Sequence, residues 1–162
     1  MTVTIRPARP EDDGAFVEMF LAFNRYEEPI THDRRTDHAA AVETLDSARA
    51  RVSRHHGRIL TAEREGRVVG MLFMIFEMRD VYVQEDLRRH AYITDLFVRE
   101  AARKAGIATA LIKEAERIAA ENGVRRIAIG VLAGNEPAGR LYARLGFAPY
   151  YTERAKLIAD TL

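Results

Sequence analysis

No cysteine occurs anywhere in the 162 residues, which excludes a disulfide, a thiolate zinc site and a cysteine nucleophile. Serine is almost as scarce. Ser47 and Ser53 both fall in a stretch that reads as helix, and neither sits in a Gly-x-Ser-x-Gly elbow. A covalent serine or cysteine mechanism is thereby set aside, and any group transfer is expected to be direct. Excess charge of one sign is also lacking. The 25 basic and 24 acidic residues leave a net +1, which gives no electrostatic case for nucleic acid or an anionic membrane surface. No apolar run approaches the membrane-spanning length, and MTVTIRPARPEDD lacks the apolar core of a signal peptide. A soluble cytoplasmic protein is the expectation. No Pro/Gly/Ser-rich stretch or internal repeat divides the chain, so residues 1–162, at 48% hydrophobic, are expected to form one domain. Histidine is sparse, and His55-His56 reads as a surface pair closing a helix, so no metal is implied.

What is present is organised around residues 91–108, AYITDLFVREAARKAGIA. The stretch reads as an apolar strand ending at Val98, a short basic turn, then the start of an amphipathic helix. A helix begun this way aims several unpaired backbone N–H groups at one place, with the positive end of the helix dipole behind them. That arrangement suits phosphate and depends little on side-chain identity. Gly106 lets the backbone approach a ligand, and Ala108 keeps the next inward position small.

The rest of the chain falls into place around it. Val3 and Ile5 alternate with polar residues as an opening strand ended by Pro7 and Pro10. Phe16, Met19, Phe20 and Phe23 then mark one face of a helix ending near Arg25. Tyr26 to Thr36 is polar and proline-broken, and reads as a surface loop or as one wall of a substrate site. A second helix, about Asp37 to His55, carries Val42, Leu45 and Val52 on one side. From Arg58 the period becomes two, predicting a hairpin turned at Arg64-Glu65-Gly66, with Gly70 marking a bulge or a close approach in a central strand. After the strand Tyr92 to Val98, the helix buries Ile107, Ala108, Leu111, Ile112, Ala115, Ile118 and Ala119, and Asn122-Gly123 caps it. Arg125 to Val131 is a further apolar strand, parallel to the first across a βαβ crossover. Asn135-Glu136-Pro137 opens a short helix ended by Gly146, and Phe147 to Leu157 is a final extended segment.

A glycine turn in a βαβ unit invites a dinucleotide or P-loop reading. Neither Gly-x-Gly-x-x-Gly nor Gly-Lys-Ser/Thr occurs, and Gly130-Val131-Leu132 offers no acid to a ribose hydroxyl. A different combination is present: ITDLFV, then Arg-x-x-Gly-x-Ala, then Asn135-x-x-Ala138-x-x-x-Tyr142-x-x-x-Gly146-Phe147. In that order it resembles the GCN5-related N-acetyltransferase superfamily, with the core match over about residues 90–150. The resemblance implies an α/β fold of the α+β type: a mixed, mostly antiparallel sheet with one splayed parallel strand pair and flanking helices. It implies acetyl-CoA as cofactor, with its pyrophosphate on Arg103, Lys104, Ala105, Gly106, Ile107, Ala108 and Thr109. Leu96, Phe97 and Val98 would pair with the pantetheine arm, and the Val98 amide would face the thioester oxygen as an oxyanion donor. Asn135, Ala138 and Tyr142 would line the arm, and Tyr142 would protonate the departing thiolate. Taken by itself, Tyr142 also reads as a core aromatic beside Leu141 and Leu145.

Some members of that superfamily carry a glutamate where Thr94 stands. Asp95 is next to it, but alternation turns Asp95 to the opposite sheet face. Deprotonation through a water held by Thr94, Tyr92 or Glu77 is therefore open. Glu27, Glu28, Asp33, Glu77, Asp80, Glu85 and Asp86 fall in segments that would border an acceptor cleft, among arginines that include Arg34, Arg35, Arg79, Arg88 and Arg89. The implied acceptor is a primary amine of a small molecule, with a protein amino group as the alternative. A non-catalytic acyl-CoA-binding module is a rival reading, and a homodimer joined through Phe147–Leu157 is open.

Overall fold

The structure is a computed structural model that describes residues 2–158. Its strands are β1 (Thr4–Pro7), β2 (Arg58–Arg64), β3 (Arg67–Met78), β4 (Arg89–Val98) and β5 (Ile127–Ile129). Its helices are α1 (Asp13–Thr31), α2 (His38–Arg54), α3 (Glu85–Arg88), α4 (Ile107–Glu121) and α5 (Glu136–Arg144). The strands form one sheet in the order β1-β2-β3-β4-β5, antiparallel except for the parallel β4–β5 pair. The expected α+β class, with its mixed sheet, is the one observed.

β3 is apolar on both faces because both faces are covered. Leu72 and Met74 lie under Ile107, Leu111, Ile112 and Ala115 of α4. Met71, Phe73 and Ile75 lie under Phe16, Met19 and Phe20 of α1 and Leu45, Ala48 and Val52 of α2. The Phe73 ring is held between Phe16 and Phe20, at centroid distances of 5.6 and 5.5 Å. Val42 does not join this face as expected; it is 37% exposed, and Ala40 and Ala41 fill the contact instead. Close approach of α2 to the sheet requires small residues there.

The β2–β3 hairpin closes on Glu65 and Gly66, whose φ angles of 54° and 72° match the twist of the flanking strands. Gly70 carries both features its position suggested. The register slips beside it, between Ala62 and Glu63, and a Cβ there would sit 3.3 Å from the side chains of Ala62, Ile107 and Leu111. At the amino-terminal edge, the guanidinium of Arg6 donates to both carboxylate oxygens of Asp12 at 2.8 and 2.9 Å. Asp12 also accepts from the Arg9 amide and the Thr61 hydroxyl, and so fixes the entry of α1 against β2.

One segment runs past its expected end. α1 does not stop near Arg25 but continues through Pro29 to Thr31. Proline's fixed φ is already helical, although it lacks the amide for one intrahelical bond and its ring crowds a carbonyl of the preceding turn. The extra turns are held by Arg34, whose side chain bonds Glu27 at 2.7 Å and whose amide donates to Glu28 at 2.6 Å. His32, at φ 58°, ends the helix. The segment after Phe147 joins no sheet, although Tyr150 is flanked by the guanidinium groups of Arg79 and Arg126.

Candidate active site

The parallel pair is joined over a short length only. Ala91, Tyr92 and Ile93 pair with Ile127, Ala128 and Ile129, and beyond Ile93 strand β4 has no partner on that side. A gap therefore opens along Thr94 to Val98. Backbone direction along this gap follows from one bond. The Arg99 amide donates to Val69 of β3 at 2.9 Å, so alternation turns the amide and carbonyl of Val98 the other way, into the gap. Leu96, two residues earlier, faces it likewise.

The glycine turn lies at the end of this gap. Lys104 and Gly106 both have positive φ, 62° and 75°, and the coil they make delivers the chain directly into α4. The first amides of α4, at Ile107, Ala108 and Thr109, have no intrahelical acceptor. No heavy atom lies within 4 Å of a Cβ built on Gly106, so the backbone is open on that side. Arg103 reaches back: its Nε donates to the Val98 carbonyl at 3.1 Å, and its guanidinium lies over the rings of Tyr26 and Phe97.

α5 brings the third group. Asn135 caps it, its side-chain oxygen accepting from the Ala138 amide at 3.4 Å and from the Tyr26 hydroxyl at 3.2 Å. Tyr142 is half-buried against the α4-side core, its ring tilted 59° to that of Phe147 at 6.0 Å between centroids. Burial, helped by the negative charge of Glu27, pushes its phenol up to about 12. The hydroxyl keeps its proton at neutral pH. Among the described residues it makes no hydrogen bond, which leaves it available to a ligand.

The alternation expected for Asp95 does not hold. The β3–β4 register slips between Phe73 and Met74, which pair with Asp95 and Ile93 and leave Thr94 as the extra residue of a bulge. Asp95 thus follows Thr94 on the α1/α2 side of the sheet, beside its hydroxyl, which also lies 3.4 Å from the Phe73 carbonyl. Burial raises the Asp95 carboxyl above the usual range; Glu27 adds to this, while Thr94 and Arg51 oppose it.

Glu77 is not brought into this group. It pairs with His90 while Gly70 pairs with Val98, so roughly 23 Å of strand separate it from the Val98 end. It lies 3.7 Å from the Nε2 of His90, a side chain 1% exposed with no hydrogen bond to either ring nitrogen. Burial and the charge of Arg79 lower the His90 pKa and keep it neutral, so the contact is not an ion pair. The two line a separate cavity with Tyr92 and Tyr151. Sequence reasoning set Asp95 aside by alternation and placed Tyr26 in a loop rather than on α1. The signals were an unbroken helical period through Pro29 and a strand whose two flanks cannot share one alternation.

A mixed sheet whose parallel pair parts beside the amino terminus of α4 defines this α+β fold. The chain belongs to the acetyltransferase (GNAT) family, whose sequence model matches residues 15–147. It is 27% identical over 145 residues to an uncharacterized N-acetyltransferase of Bacillus subtilis, covering 90% of this chain and 89% of that protein. A GCN5-related N-acetyltransferase from Ralstonia eutropha has the same fold, with a TM-score of 0.74 at 24% identity, covering 97% of this chain and 99% of that one. An aminoglycoside acetyltransferase from a soil metagenomic sample superposes with a TM-score of 0.66 at 26% identity, covering 98% and 100%. No helix among the described residues is long and apolar enough to cross a membrane.

Proposed function

We propose that this protein transfers an acetyl group from acetyl-CoA to the primary amine of a small molecule, by direct attack with both bound. The observation that carries the reading is the gap beside β4, edged by the Val98 amide and carbonyl and ending at the open amides of α4. The residues fit the cofactor. Unpartnered amides from Ile107 to Thr109, the Lys104–Gly106 turn and the cation of Arg103 suit a pyrophosphate. Leu96 and Val98 offer a strand edge to the amides of a pantetheine arm, as an added strand would use it. Bound acetyl-CoA supplies an activated thioester.

Around it, each protein group has one task. The Val98 amide donates toward the thioester oxygen, in a place already organised by the β3 ladder. Asn135, locked by its cap and by Tyr26, orients the side of the arm that faces α5. Tyr142 delivers a proton to the leaving sulfur. Its raised pKa keeps it protonated, and the same burial that makes it a weaker acid also makes a bare thiolate costly beside it. The absence of a covalent nucleophile agrees with direct transfer.

Free-thiol release from acetyl-CoA, measured against polyamines, amino sugars, amino acids and short peptides, tests the reading. Release with one class supports it. Acetyl-CoA binding by calorimetry without release favours a non-catalytic acyl-CoA-binding module. Absence of binding removes the reading altogether.

A further inference from the structure

Charges around one cavity do not fully cancel. A cavity of about 390 Å³ opens between α1, α2 and β4, a size that suits a small ligand. Most charges at its rim are already matched. Arg34 holds Glu27 and Asp33, and Arg35 holds Glu43 and Asp37. Glu27 and Asp33, two of the acids that the sequence places around an acceptor cleft, are therefore neutralised by Arg34. Two opposite charges are left over. Asp95 from the β4 bulge and Arg51 from α2 both line the cavity, and neither forms an ion pair among the described residues.

The setting of Asp95 makes this residue informative. From α1 it faces the like charge of Glu27, from α2 the opposite charge of Arg51, and on its own strand the Thr94 hydroxyl. It stands at the point where β4 leaves β5, at the head of the gap that ends at Val98. A carboxylate there with no cation in contact is satisfied by a ligand that brings one.

On the transferase reading above, we propose that this cavity receives the acceptor, and that the acceptor is a zwitterion of the amino-acid type. Its ammonium faces Asp95, whose carboxylate takes the proton that frees the nitrogen for attack, and its carboxylate faces Arg51. A polyamine would carry a second positive charge toward Arg51, Arg34 and Arg35 with no unpaired acid to meet it. A neutral-bodied amino sugar would leave Arg51 unanswered. Only a ligand bearing both signs pairs the two remaining charges, and such pairing is charge-assisted at each end.

The test compares amino acids with the matching amines that lack the carboxylate, each assayed with acetyl-CoA for thiol release. The amino acid should be preferred by at least about ten-fold in kcat/KM, the factor expected of one charge-assisted contact. Arg51→Gln should bring the two members of a pair toward equality, mainly through the KM of the amino acid, and Arg51→Lys should restore part of the preference. A second readout is independent of turnover: amino-acid binding by calorimetry in the presence of CoA, which Asp95→Asn should abolish. Equal use of both members by the native protein overturns the proposal while leaving the transferase intact. So does equal loss for both members in Arg51→Gln. If acetyl-CoA itself fails to bind, the transferase reading falls first and the acceptor class with it.

Discussion

The Nε of Arg103 donates to the carbonyl oxygen of Val98 at 3.1 Å, so the protein's own side chain occupies a backbone acceptor that faces the β4–β5 gap. The same guanidinium rests between the rings of Tyr26 and Phe97. On the transferase proposal, a pantetheine amide would compete with Arg103 for that carbonyl, and a displaced guanidinium would lie next to the glycine turn.

Arg103→Ala should therefore weaken acetyl-CoA binding by roughly ten-fold, the loss of one charge-assisted contact, despite freeing the Val98 carbonyl. Calorimetry at two salt concentrations checks this. The variant's affinity should also fall less steeply with salt, whereas an unchanged affinity would mean that Arg103 stays on Val98 in the complex.

Tyr142→Phe should depress kcat by about 10²-fold or more while leaving acetyl-CoA affinity nearly intact. Equal loss of both would mean the ring serves packing against the α4-side core. With its pKa raised to about 12, the phenol is in its acid form across the working range. Any alkaline fall in rate below about pH 10 should therefore persist in the variant if measurable, since another group produces it.

Gly106→Ala tests the turn. The position has φ 75° with open space around a built Cβ, so the strain lies in the backbone alone. A stability loss of about 1 kcal/mol is expected in thermal unfolding. Cofactor affinity should fall further than that figure allows, because easing the strain re-aims the amides of Ile107 and Ala108.

Asp12 governs acid stability. Hydrogen bonds from Arg6 hold its carboxyl down to about 2, from an ordinary value of 3.8, and it is 3% exposed. With a depressed native pKa, its contribution is full above the unfolded value and is lost as pH falls through the native one. That contribution is about 2 kcal/mol and disappears between roughly pH 5 and 2. Asp12→Asn should cost about 1–3 kcal/mol at neutral pH, because Arg6 loses its two bonds to Asp12 but keeps its ion pair with Glu63, and should flatten the acid limb of a urea-unfolding series.

Local rules made much of the site legible. The strand, basic turn and helix of residues 91–121 follow from periodicity, one glycine and a cap, and each depends on near neighbours in the chain. The Asn135 cap and the Tyr142 face are local in the same sense. Asp95 was not legible, because a bulge is fixed by how β4 meets β3 and has no composition of its own. Tyr26 was hidden by Pro29, which reads as a breaker until Arg34 is seen folding back to hold Glu27 and Glu28. Arg51 looks like any other arginine on a helix. Its distinction is the lack of an ion pair among the described residues, a property of the assembled surface.

The raised pKa of Asp95 has an energetic meaning of its own. A carboxyl favoured in its protonated form by the native state adds stability below its unfolded pKa and withdraws it as pH rises through the native value. At neutral pH the ligand-free protein is therefore under tension at this residue. Asp95→Asn should melt higher than the native chain near pH 7, with the difference closing toward pH 4. A ligand that places a cation there relieves the same tension, so the native chain, more than the Asn variant, should gain melting temperature when its true acceptor is added. Folding itself then becomes the detector: on the acceptor proposal, the compound that raises the melting point only while Asp95 is present is the one whose cation pairs with that carboxylate.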